Sequence, residues 1–466
     1  MSGYTGTLFN QSMAGFFHES KSAVLDNRLR YELVSKSRIL CTKVPLARAI
    51  ISTLTRGVIG SGLRLVQPDE IFDTLSATYA LDSMHQQDVY QIQQQAFETM
   101  LLSGECWLIR EKDTDNSPYS SWYLAEPDHV FNPPYITTQA DGNYYYKNHL
   151  IIDGIEFASN GTPLAVHYCK CPYTCNISNK KAWQRIFFYD KEGTPNIIQL
   201  KLTDRPEYPR GLPILAPLIE TLYGLYAYGQ AQIQMGILQS CQALVVKTDT
   251  NKSFNPFTPM TAADLNAPLI PPSTDDKAPK QDFSIVPPNN RDTFGFVNNL
   301  NFVSAGQTVH LGDNESLECI TPTGPSNSLT EYYNLVLEQC CAAIGIPKPL
   351  LNGVFDASFS ASKASIAQWE YTISKYRKAF IEQMLRPLYR VYLLDNGSTD
   401  ADAFKGSIAA EFVSIDPPMV VDEVRQMSLM RQAYDLGLIT RDEIAQTLFA
   451  HKAHLDSDYE RFTTLK

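Results

Sequence analysis

A serine and a lysine three residues apart form the pattern in this chain that most resembles a catalytic motif. Ser360 and Lys363 stand in the sequence Ser-Ala-Ser-Lys. In penicillin-binding enzymes this S-x-x-K spacing places the nucleophilic serine one helical turn from a lysine, alongside later S-D-N and K-T-G motifs. Neither later motif follows Lys363 here. A serine acyl-enzyme that uses Ser360 and Lys363 is therefore the alternative function, and the simpler interpretation is that Ser360 or Ser362 caps a helix.

A second candidate is a metal site in the sequence HYCKCPYTC, residues 167–175. His167, Cys169, Cys171 and Cys175 are all possible ligands, but their spacing lacks the CxxC pairs of structural zinc sites. Alternation of His167, Cys169 and Cys171 instead indicates one face of a strand. The chain holds nine cysteines, an odd number, which favours reduced thiols in a reducing compartment. We predict no metal site and no cofactor.

No other pattern in the chain points to catalysis. The sequence contains no P-loop, HExxH or GxSxG motif. Glycines 57, 60 and 62 suggest a phosphate loop, but they follow a predicted helix rather than a strand, so we interpret them as turn glycines. The sequence therefore predicts a protein that is not an enzyme.

Composition describes an acidic globular protein. The formal net charge is −11 and 44% of the residues are hydrophobic. This charge disfavours tight static binding of nucleic acid, because such affinity comes mainly from cationic side chains that neutralise phosphates. Transient contact with DNA remains compatible with it. No apolar run reaches the roughly 18 residues of a membrane helix, and the first residues lack the features of a signal peptide. We predict no membrane association and synthesis in the cytoplasm.

Hydrophobic periodicity predicts an α+β protein. Helices are predicted over 27–44, from Pro45 to about Val58, and over 87–102. Alternating and aromatic runs then predict a mostly antiparallel sheet between residues 104 and 190.

The second half of the chain is predicted to be mainly helical. Long helices are expected over 213–245 and 327–345, separated by a Pro-rich, polar stretch with strands only from about 283 to 320. A further long helix follows from about residue 363 to Leu394, and Pro387 should kink it. Two short helices are expected over 422–450, the second capped by Thr440.

The segment RPEYPRGLPILAPL, residues 205–218, stands at the start of the first long helix. Two arginines, Arg205 and Arg210, flank a turn stiffened by prolines, and Gly211 precedes the helix. Taken alone, the segment predicts a surface turn with two exposed arginines.

Five motifs, in this order along the chain, resemble the lambda-like family of tailed-phage portal proteins. The first is LRYELVSKSRILCTKVPLARAIISTLTRGVIGSGLRL, which ends in a V-x-G-x-G turn, and the second is GIEFASNGTPLAVHY. The third is RPEYPRGLPILA, similar to an R-P-x-x-x-R-G-x-P signature. The last two are GIPKPLLNGVFDASFSASKASI and VSIDPPMVVDEVRQMSLMRQAYDLGLITRDEI. The signature residues are Arg205, Pro206, Arg210, Gly211 and Pro213.

The resemblance implies a portal fold. The expected parts are an α+β wing, paired stem helices, a small β-containing clip and a helical C-terminal crown. The implied boundaries are a wing of residues 1–212, stem helices 213–245 and 327–345 on either side of a clip 246–326, a segment 346–415 with tunnel loop, long kinked helix and the rest of the wing, and a crown 416–466.

The resemblance also implies a function in the virion. Portal proteins form a ring, usually of twelve subunits, at one capsid vertex, through which terminase drives double-stranded DNA during packaging and through which DNA is later ejected. The expected partners are other copies of the chain, DNA without sequence preference, the terminase large subunit, the major capsid protein and head–tail adaptor or connector proteins. The chain would be made in the cytoplasm of the bacterial host.

Residues 353–362 resemble the tunnel loop that projects toward the passing DNA. The residues expected to meet DNA are Ser358, Phe359, Ser360, Ser362 and Lys363. Small hydroxyl and methyl groups would touch phosphates without binding them in any register, because they release few counterions. The helix that follows would anchor this loop in the ring.

Overall fold

We describe the fold from a computed structural model of the chain. The structure describes residues 27–67, 69–112, 118–136, 144–170, 172–173, 177–202, 208–240, 243–248, 315–320, 328–353, 359–416 and 423–437. Several sequence predictions lie outside these residues: the positions of Arg205, Pro206 and Ser358, the cap at Thr440, and most of 246–326.

The N-terminal part of the described chain contains four α-helices. Helix α1 spans Asn27–Lys43 and α2 spans Pro45–Val58. Pro45 occupies the first turn of α2, where its missing N–H leaves no hydrogen bond unmade, so the predicted restart at this proline is confirmed. Helix α3 spans Glu70–Ala77, and α4 spans Val89–Ser103. A capping box of Asp88 and Gln91 begins α4.

Antiparallel sheets surround these helices, as predicted. Strands β1 (Leu63–Leu65) and β12 (Phe412–Ser414) form a two-stranded sheet. A three-stranded sheet has the order β3–β2–β9, with β2 at Glu105–Glu111, β3 at Ser121–Ala125 and β9 at Ile197–Lys201. A five-stranded meander contains β4 (Tyr144–Tyr146), β5 (His149–Ile152), β6 (Ile155–Phe157), β7 (Pro163–Cys169) and β8 (Trp183–Phe187).

The next helix is shorter than predicted. Helix α5 spans Ile219–Ser240 after a 3₁₀ turn at Ala216–Leu218, whereas the sequence predicted one helix over 213–245. Strand β10, Ala243–Thr248, begins inside that predicted range and pairs with β11, Glu315–Ile320, as an antiparallel ladder. Residues 243–248 read ALVVKT, and its two adjacent valines and a threonine favour a strand over a helix.

The C-terminal part of the body is helical. Helix α6 spans Ser328–Ile344 and α7 spans Lys348–Asn352. Helix α8, Phe359–Phe380, continues through a π-helical turn at Ile381–Leu385 into α9, Arg386–Asp395. Helix α10 spans Asp400–Ala409 and α11 spans Glu423–Asp435. The predicted helices 327–345 and 363–394 are therefore confirmed apart from their ends, and α11 is the first of the two predicted tail helices.

The chain separates into two compact units. The first contains residues 1–226 and 330–466, and the second contains residues 227–329. Within the first unit, one large apolar core joins α1, α2 and α4 with α6, α8 and α9, and a smaller one surrounds Trp107 between the two larger sheets. The mixture of helices and sheets confirms the predicted α+β class. Within the described residues, no helix is both long and apolar enough to cross a bilayer.

Candidate channel elements and the buried signature arginine

Helix α5 carries apolar side chains that the single chain leaves exposed. Tyr223 is 51% exposed and Ile233 is 58% exposed, and Tyr226 is also exposed. No side chain described from Tyr223 to Met235 is buried. Exposed apolar side chains concentrated on one element are typical of a surface that another molecule covers.

Charge is nearly absent from the same helix. Glu220, in the first turn, is its single charged residue, and the following residues to Ser240 are apolar, aromatic or polar without charge. A surface of this kind neither attracts nor repels a phosphate by a fixed charge. The helix therefore combines an apolar contact surface with glutamine and hydroxyl groups that water can solvate.

Glycines of α5 have different surroundings. A Cβ at Gly224 would lie 3.0 Å from the hydroxyl oxygen of Tyr332 on α6, so the two helices come close at this point. A Cβ at Gly229 would meet nothing within 4 Å. Within the described residues, close approach of a second helix is therefore found at Gly224 and not at Gly229.

The range predicted as the tunnel loop, residues 353–362, overlaps the start of a helix. Helix α8 begins at Phe359, so the backbone of Ser360, Ser362 and Lys363 lies in the first turns of a helix. Neither serine is the residue before the helix, and the prediction that one of them caps it is wrong. The physical reason is that the residues from Phe359 onward contain no Gly or Pro to stop the helix. Residues 354–358 lie outside the described residues, and Gly353, at φ +73°, ends α7.

Spacing in α8 also bears on the alternative acyl-enzyme. Ser360 and Lys363 are separated by one helical turn, the i, i+3 relation that the S-x-x-K motif requires. Their side chains lie outside the described residues. No described contact joins a further catalytic group to them.

Helix α8 is anchored on the end of α2. Trp369 is buried over Gly57, where an added Cβ would lie 2.5 Å from the indole ring. Arg377 donates from Nη2 to the carbonyl oxygen of Gly57 at 2.9 Å and from Nε to that of Val58 at 3.0 Å. These carbonyls belong to the last turn of α2 and have no partner within the helix. The arginine therefore caps α2 and fixes the position of α8 at once.

The long helix is irregular just before Pro387. A π-helical turn occupies Ile381–Leu385, and Pro387 lies in the first turn of α9. A proline inside a helix removes one N–H donor and crowds the preceding carbonyl, and a π turn is a recognised way to absorb such an interruption. The structure therefore shows a π-helical irregularity just before Pro387, and the kink itself stays a prediction.

The signature arginine, Arg210, lies at the centre of a buried charge cluster. Its side chain is 2% exposed. Its Nε donates to Oε1 of Glu105 at 2.6 Å, and Nη2 is ion-paired with the same oxygen. Its Nη1 lies 3.4 Å from Oδ2 of Asp153, and Arg30 donates from Nε to that oxygen at 2.6 Å. Two arginines and two carboxylates therefore balance each other away from water, which buried charges require.

Backbone carbonyls complete the coordination of this guanidinium. Nη1 of Arg210 donates to the carbonyl oxygens of Val130, at 2.9 Å, and Asp153, and Nη2 donates to that of Pro127 at 3.2 Å. The Arg210 side chain therefore joins strand β2, the turn between β5 and β6, and the 127–130 turn. The prediction of an exposed arginine at this position is wrong.

Ionisation in the cluster reflects both burial and charge. Burial alone would lower the pKa of Arg210, but Glu105 and Asp153 outweigh it and raise that pKa above its ordinary value. Burial and then the charge of Asp153 raise the pKa of Tyr31 to about 12, and its hydroxyl donates to Asp153 at 3.2 Å. Arg210 and the Tyr31 hydroxyl therefore both keep their protons at neutral pH.

Gly211 explains the glycine of the signature. A Cβ at Gly211 would collide with the carbonyl oxygen of Gly104, and the Gly211 N–H donates to Oε2 of Glu105 at 3.2 Å. Gly104 ends α4 at φ +87°, a conformation that favours glycine. Pro213 follows in the same segment and is buried. Arg210, Gly211 and Pro213 thus form a structural lock between α4, β2 and the start of α5.

The V-x-G-x-G turn holds a carboxylate from the C-terminal part of the chain. Ser61 donates to Asp416 from its N–H and from its hydroxyl, each at 2.6 Å. Gly60, at φ +59°, leaves room for that carboxylate, and the carbonyl oxygen of Gly62 accepts from the Ile415 N–H at 2.9 Å. Gly60 and Gly62 are turn glycines, as predicted, whereas Gly57 lies in the last turn of α2, so the prediction for Gly57 is wrong. The local sequence does not predict that this turn binds the carboxylate of Asp416.

His167 belongs to an ion-pair row on the five-stranded sheet. The row is centred on Glu156, which is fully buried; it accepts from Nε of Arg185 at 2.6 Å and lies 2.6 Å from Nδ1 of His149. His167 lies 3.5 Å away on the other side. His167 and Cys169 are buried on β7, and the described residues hold no group of three His, Cys, Asp or Glu side chains arranged for a metal. Cys171 and Cys175 lie outside the described residues.

Three solved structures were compared with this chain. A chain in the virion of the native gene transfer agent particle is 13% identical, with a TM-score of 0.45 and coverage of 90% of this chain and 92% of that one. A chain in the neck of the native particle, computed with C12 symmetry, is 12% identical, with a TM-score of 0.44 and coverage of 91% and 93%. An HK97-family phage portal protein from Corynebacterium diphtheriae is 10% identical, with a TM-score of 0.36 and coverage of 80% and 92%.

Among curated proteins, none matches the chain. The profile described as phage portal protein, lambda family, matches residues 9–377, more than three quarters of the sequence. The matched range contains the V-x-G-x-G turn, the Arg210 lock and the anchored start of α8. Members of this family are structural, non-enzymatic proteins of the phage particle. The chain belongs to the lambda family of phage portal proteins.

Proposed function

We propose that this protein forms the portal ring of a tailed phage, a head–tail connector at one capsid vertex. DNA would enter through the ring during packaging by terminase and leave through it during ejection. We infer twelve subunits, the usual number for the family. The observation that carries the proposal is α5, a 22-residue helix with one charged residue and exposed apolar side chains. In a ring, neighbouring subunits would cover those side chains.

The proposed division of the chain follows the family's order of parts. Residues 1–212 and most of 346–415 form the wing, 213–245 and 327–345 the stem, 246–326 the clip and 416–466 the crown. The described wing contains the Arg210 lock, which would give the base of the stem a rigid support. Because α8 is anchored on α2 through Arg377, the segment before Phe359 would be held at a fixed place in each subunit.

Electrostatics favours passage of DNA over binding. Each subunit carries a formal charge of −11, so twelve copies carry about −132. A net negative wall repels a polyanion and lets it move, whereas a cationic wall would hold it. In this proposal Ser358, Phe359, Ser360, Ser362 and Lys363 form the edge of the channel that DNA touches, now reduced to a short loop and the first helical turns.

Three kinds of protein partner follow from this role. The ring would bind the terminase large subunit and, later, adaptor or connector proteins through the clip. The wing would meet the major capsid protein. We further infer that the protein is no enzyme and needs no cofactor, since its buried ionic groups are paired with one another in structural contacts.

Electron microscopy of the purified protein tests the proposal. Twelve chains of 52.3 kDa would give rings of about 630 kDa with an axial hole. Solitary particles of one chain would contradict the proposal. Rings without a hole would point to a capsid-associated scaffold, and labelling of Ser360 by a penicillin-type acylating probe would support the acyl-enzyme.

A separate experiment tests the channel loop. Replacing residues 353–358 by bulky acidic residues should reduce DNA filling of heads, because the larger side chains would narrow the opening and bring negative charge into close contact with the phosphates that must pass it. Ring assembly, followed by sizing and microscopy, should be unchanged. A matched replacement by serine and alanine should fill heads normally. If the acidic variant fails to form rings, the segment is structural.

A further inference from the structure

The five-stranded sheet carries cationic side chains and aromatic rings on the face that is turned away from the core. Val166 and Tyr168 of β7 pack in the small core around Trp107. Because successive side chains of a strand point to opposite faces, His167 lies on the other face, the outer face of the sheet. Six residues on or beside this outer face form what we call the cation–aromatic surface: Tyr135, Tyr146, Lys147, Lys180, Arg185 and Phe187.

The end of the β4–β5 hairpin lies across this outer face. The ring of Tyr146, the last residue of β4, lies 5.4 Å from the ring of His167 on β7. Cζ of Arg185 on β8 lies 5.5 Å from the same tyrosine ring. Since β4 and β7 are three strands apart in the sheet, these contacts require the hairpin end to fold over toward β7 and β8. The two edge strands, β4 and β8, therefore contribute to one continuous surface.

Each cation of this surface lies over an aromatic ring. Nζ of Lys147 is 5.5 Å from the ring centroid of Tyr146, and Nζ of Lys180 is 5.4 Å from that of Tyr135. Cζ of Arg185 is 4.2 Å from the centroid of Phe187. A cation within about 6 Å of a ring is attracted to its face, so the rings hold these long side chains in place.

The described chain leaves part of the positive charge without a counterion. Nε of Arg185 is ion-paired with the buried Glu156 at 2.6 Å. Lys147, Lys180 and the adjacent Lys181 are all exposed, and none forms an ion pair with a carboxylate among the described residues. These three charges stand on a chain whose net charge is −11. A local positive potential of this kind attracts a negatively charged partner.

Phe187 adds an apolar contact to the same surface. It is 43% exposed at the end of β8, directly beside Arg185 and its guanidinium. Protein interfaces concentrate aromatic residues and arginine at their centre and place polar and charged residues at the rim. Phe187 and Arg185 with lysines around them have this composition.

Double-stranded DNA fits the surface less well than a protein does. The face of an aromatic ring carries negative potential, so a phosphate gains nothing from the exposed Phe187. The rings of Tyr135 and Tyr146 already lie under lysines, which leaves them unsuited to stacking with bases. Non-specific affinity for DNA increases with the number of phosphates neutralised, and only three lysines are available here.

We propose that the cation–aromatic surface binds a carboxylate-bearing region of the major capsid protein. Carboxylates of that protein pair with the three lysines, and one of its apolar side chains packs on Phe187. Arg185 remains paired with Glu156 and holds the phenylalanine ring in place. The choice of partner rests on the proposed function, in which residues 1–212 belong to the wing and the wing meets the capsid protein.

Co-expression with the major capsid protein of the same phage tests this proposal. We compare the unchanged chain with the charge-reversal variant Lys147→Glu/Lys180→Glu. Ring size is measured on the purified protein, and the number of copies of this chain in each assembled shell is measured by quantitative mass spectrometry. The variant should form rings of normal size, but its copies per shell should fall at least about ten-fold, since like charges then face each other.

A second pair of lysines provides the matched control. Lys43 in the last turn of α1 and Lys405 on α10 are both exposed. Lys43→Glu/Lys405→Glu changes the net charge by the same amount as the charge-reversal variant and should enter shells at the normal number of copies. A lower number in this control as well would show that net charge, and not the cation–aromatic surface, determines entry, and would overturn the proposal.

Binding of purified rings to immobilised capsid protein separates the charged part of the contact from the apolar part. Affinity of the unchanged rings should fall between about 50 mM and 300 mM salt, because salt screens exposed charges. The charge-reversal variant should bind weakly at both salt concentrations. Phe187→Ser should weaken binding about five-fold and keep the salt dependence of the unchanged rings, whereas Phe187→Tyr, which keeps an aromatic ring, should bind normally.

Three results of these experiments would also overturn the proposal. Normal entry of Lys147→Glu/Lys180→Glu into shells would show that the surface does not bind the capsid protein. Loss of rings in this variant alone would assign the surface to a neighbouring copy of the chain. Normal entry together with loss of a gel shift of a short DNA duplex would assign it to DNA. If the unchanged chain forms no rings, the portal proposal itself fails, so the two failures are distinguishable.

Discussion

Arg210 provides the sharpest test at the scale of a single residue. Its guanidinium neutralises Glu105 and Asp153, which are fully or almost fully buried. Removal of one partner of a buried ion pair leaves the other charge without compensation and costs about 3–5 kcal/mol. We expect Arg210→Ala to lower the free energy of unfolding by about this amount, seen in the urea midpoint and in soluble yield. Arg210→Lys keeps the positive charge but loses the planar guanidinium. Its free energy of unfolding should therefore lie between those of the unchanged protein and Arg210→Ala.

A surface pair supplies the control for this substitution. Arg48 on α2 is ion-paired with Glu98 on α4, and Arg48 is more than half exposed. Exposed pairs of this kind contribute at most about 1 kcal/mol, so Arg48→Ala should leave the urea midpoint nearly unchanged. Equal effects of Arg48→Ala and Arg210→Ala would show that the buried cluster does not stabilise the fold.

Glu156 and His167 give the protein a predictable response to acid. Burial alone would raise the pKa of Glu156, but hydrogen bonds from Arg185 and His149 outweigh it and hold that pKa below its usual value. Burial lowers the pKa of His167. The unfolded chain therefore binds more protons than the folded chain at both residues. As the pH is lowered, the free energy of unfolding decreases first below about 6.5, because of His167, and again below about 4.3, because of Glu156.

Melting temperatures measured from about pH 8 down to about pH 2.5 cover both stages of this response. His167→Gln should remove the upper stage of the loss, and Glu156→Gln should remove the lower stage at a cost in stability at pH 7. The control is Glu338→Gln, at an exposed residue whose carboxylate pairs with Lys348; it should leave both stages intact. A pH profile that Glu156→Gln leaves unchanged would contradict the assignment.

The Arg210 cluster also marks the limit of prediction from sequence at this scale. The signature residues were found from the motif, but Arg210 was placed at the surface because its neighbours are prolines and polar residues. Its partners Glu105 and Asp153 are 105 and 57 residues away along the chain. Charge balance in a core depends on which distant strands meet, and local composition holds no signal for that.

At the scale of elements, the junction of α2 and α8 can be tested through Gly57. An added Cβ there would lie 2.5 Å from the ring of Trp369. A leucine at Gly57 should displace Trp369 and loosen Arg377, so hydrogen exchange in α8 from residue 364 to 380 should accelerate. Gly229→Ala, also inside a helix but with nothing within 4 Å, should instead gain up to about 1 kcal/mol from helix propensity. Unchanged exchange in the Gly57→Leu protein would show that α8 is held elsewhere.

The type of an element could be predicted where the hydrophobic periodicity extends over many residues. The residues at which elements begin and end could not be predicted. The helices around Ile50 and Val336 follow apolar spacing and were found. The start of α8 was missed because a run of Ala, Ser and Lys is as compatible with a helix as with a loop. The end of α5 was missed because an apolar stretch at 243–245 continues from a helix into a strand, and hydrophobicity alone does not separate the two.

At the scale of the whole molecule, α5 connects the chain to its assembly. A single subunit leaves Tyr226 and Ile233 exposed to water at a cost of about 25 cal/mol for each Å² of apolar surface. Burial between neighbouring subunits would recover this free energy, and lysine in their place would put like charges close together around a ring. The double substitution Tyr226→Lys and Ile233→Lys should therefore abolish rings and leave folded smaller species.

Size-exclusion chromatography with light scattering measures the mass, and circular dichroism confirms that the helices are retained. Tyr173→Lys, at an exposed aromatic position on the loop after β7, serves as the control and should assemble normally. If the double variant forms full-size rings, α5 does not lie between subunits, and the apolar surface that supports the portal proposal must have another role.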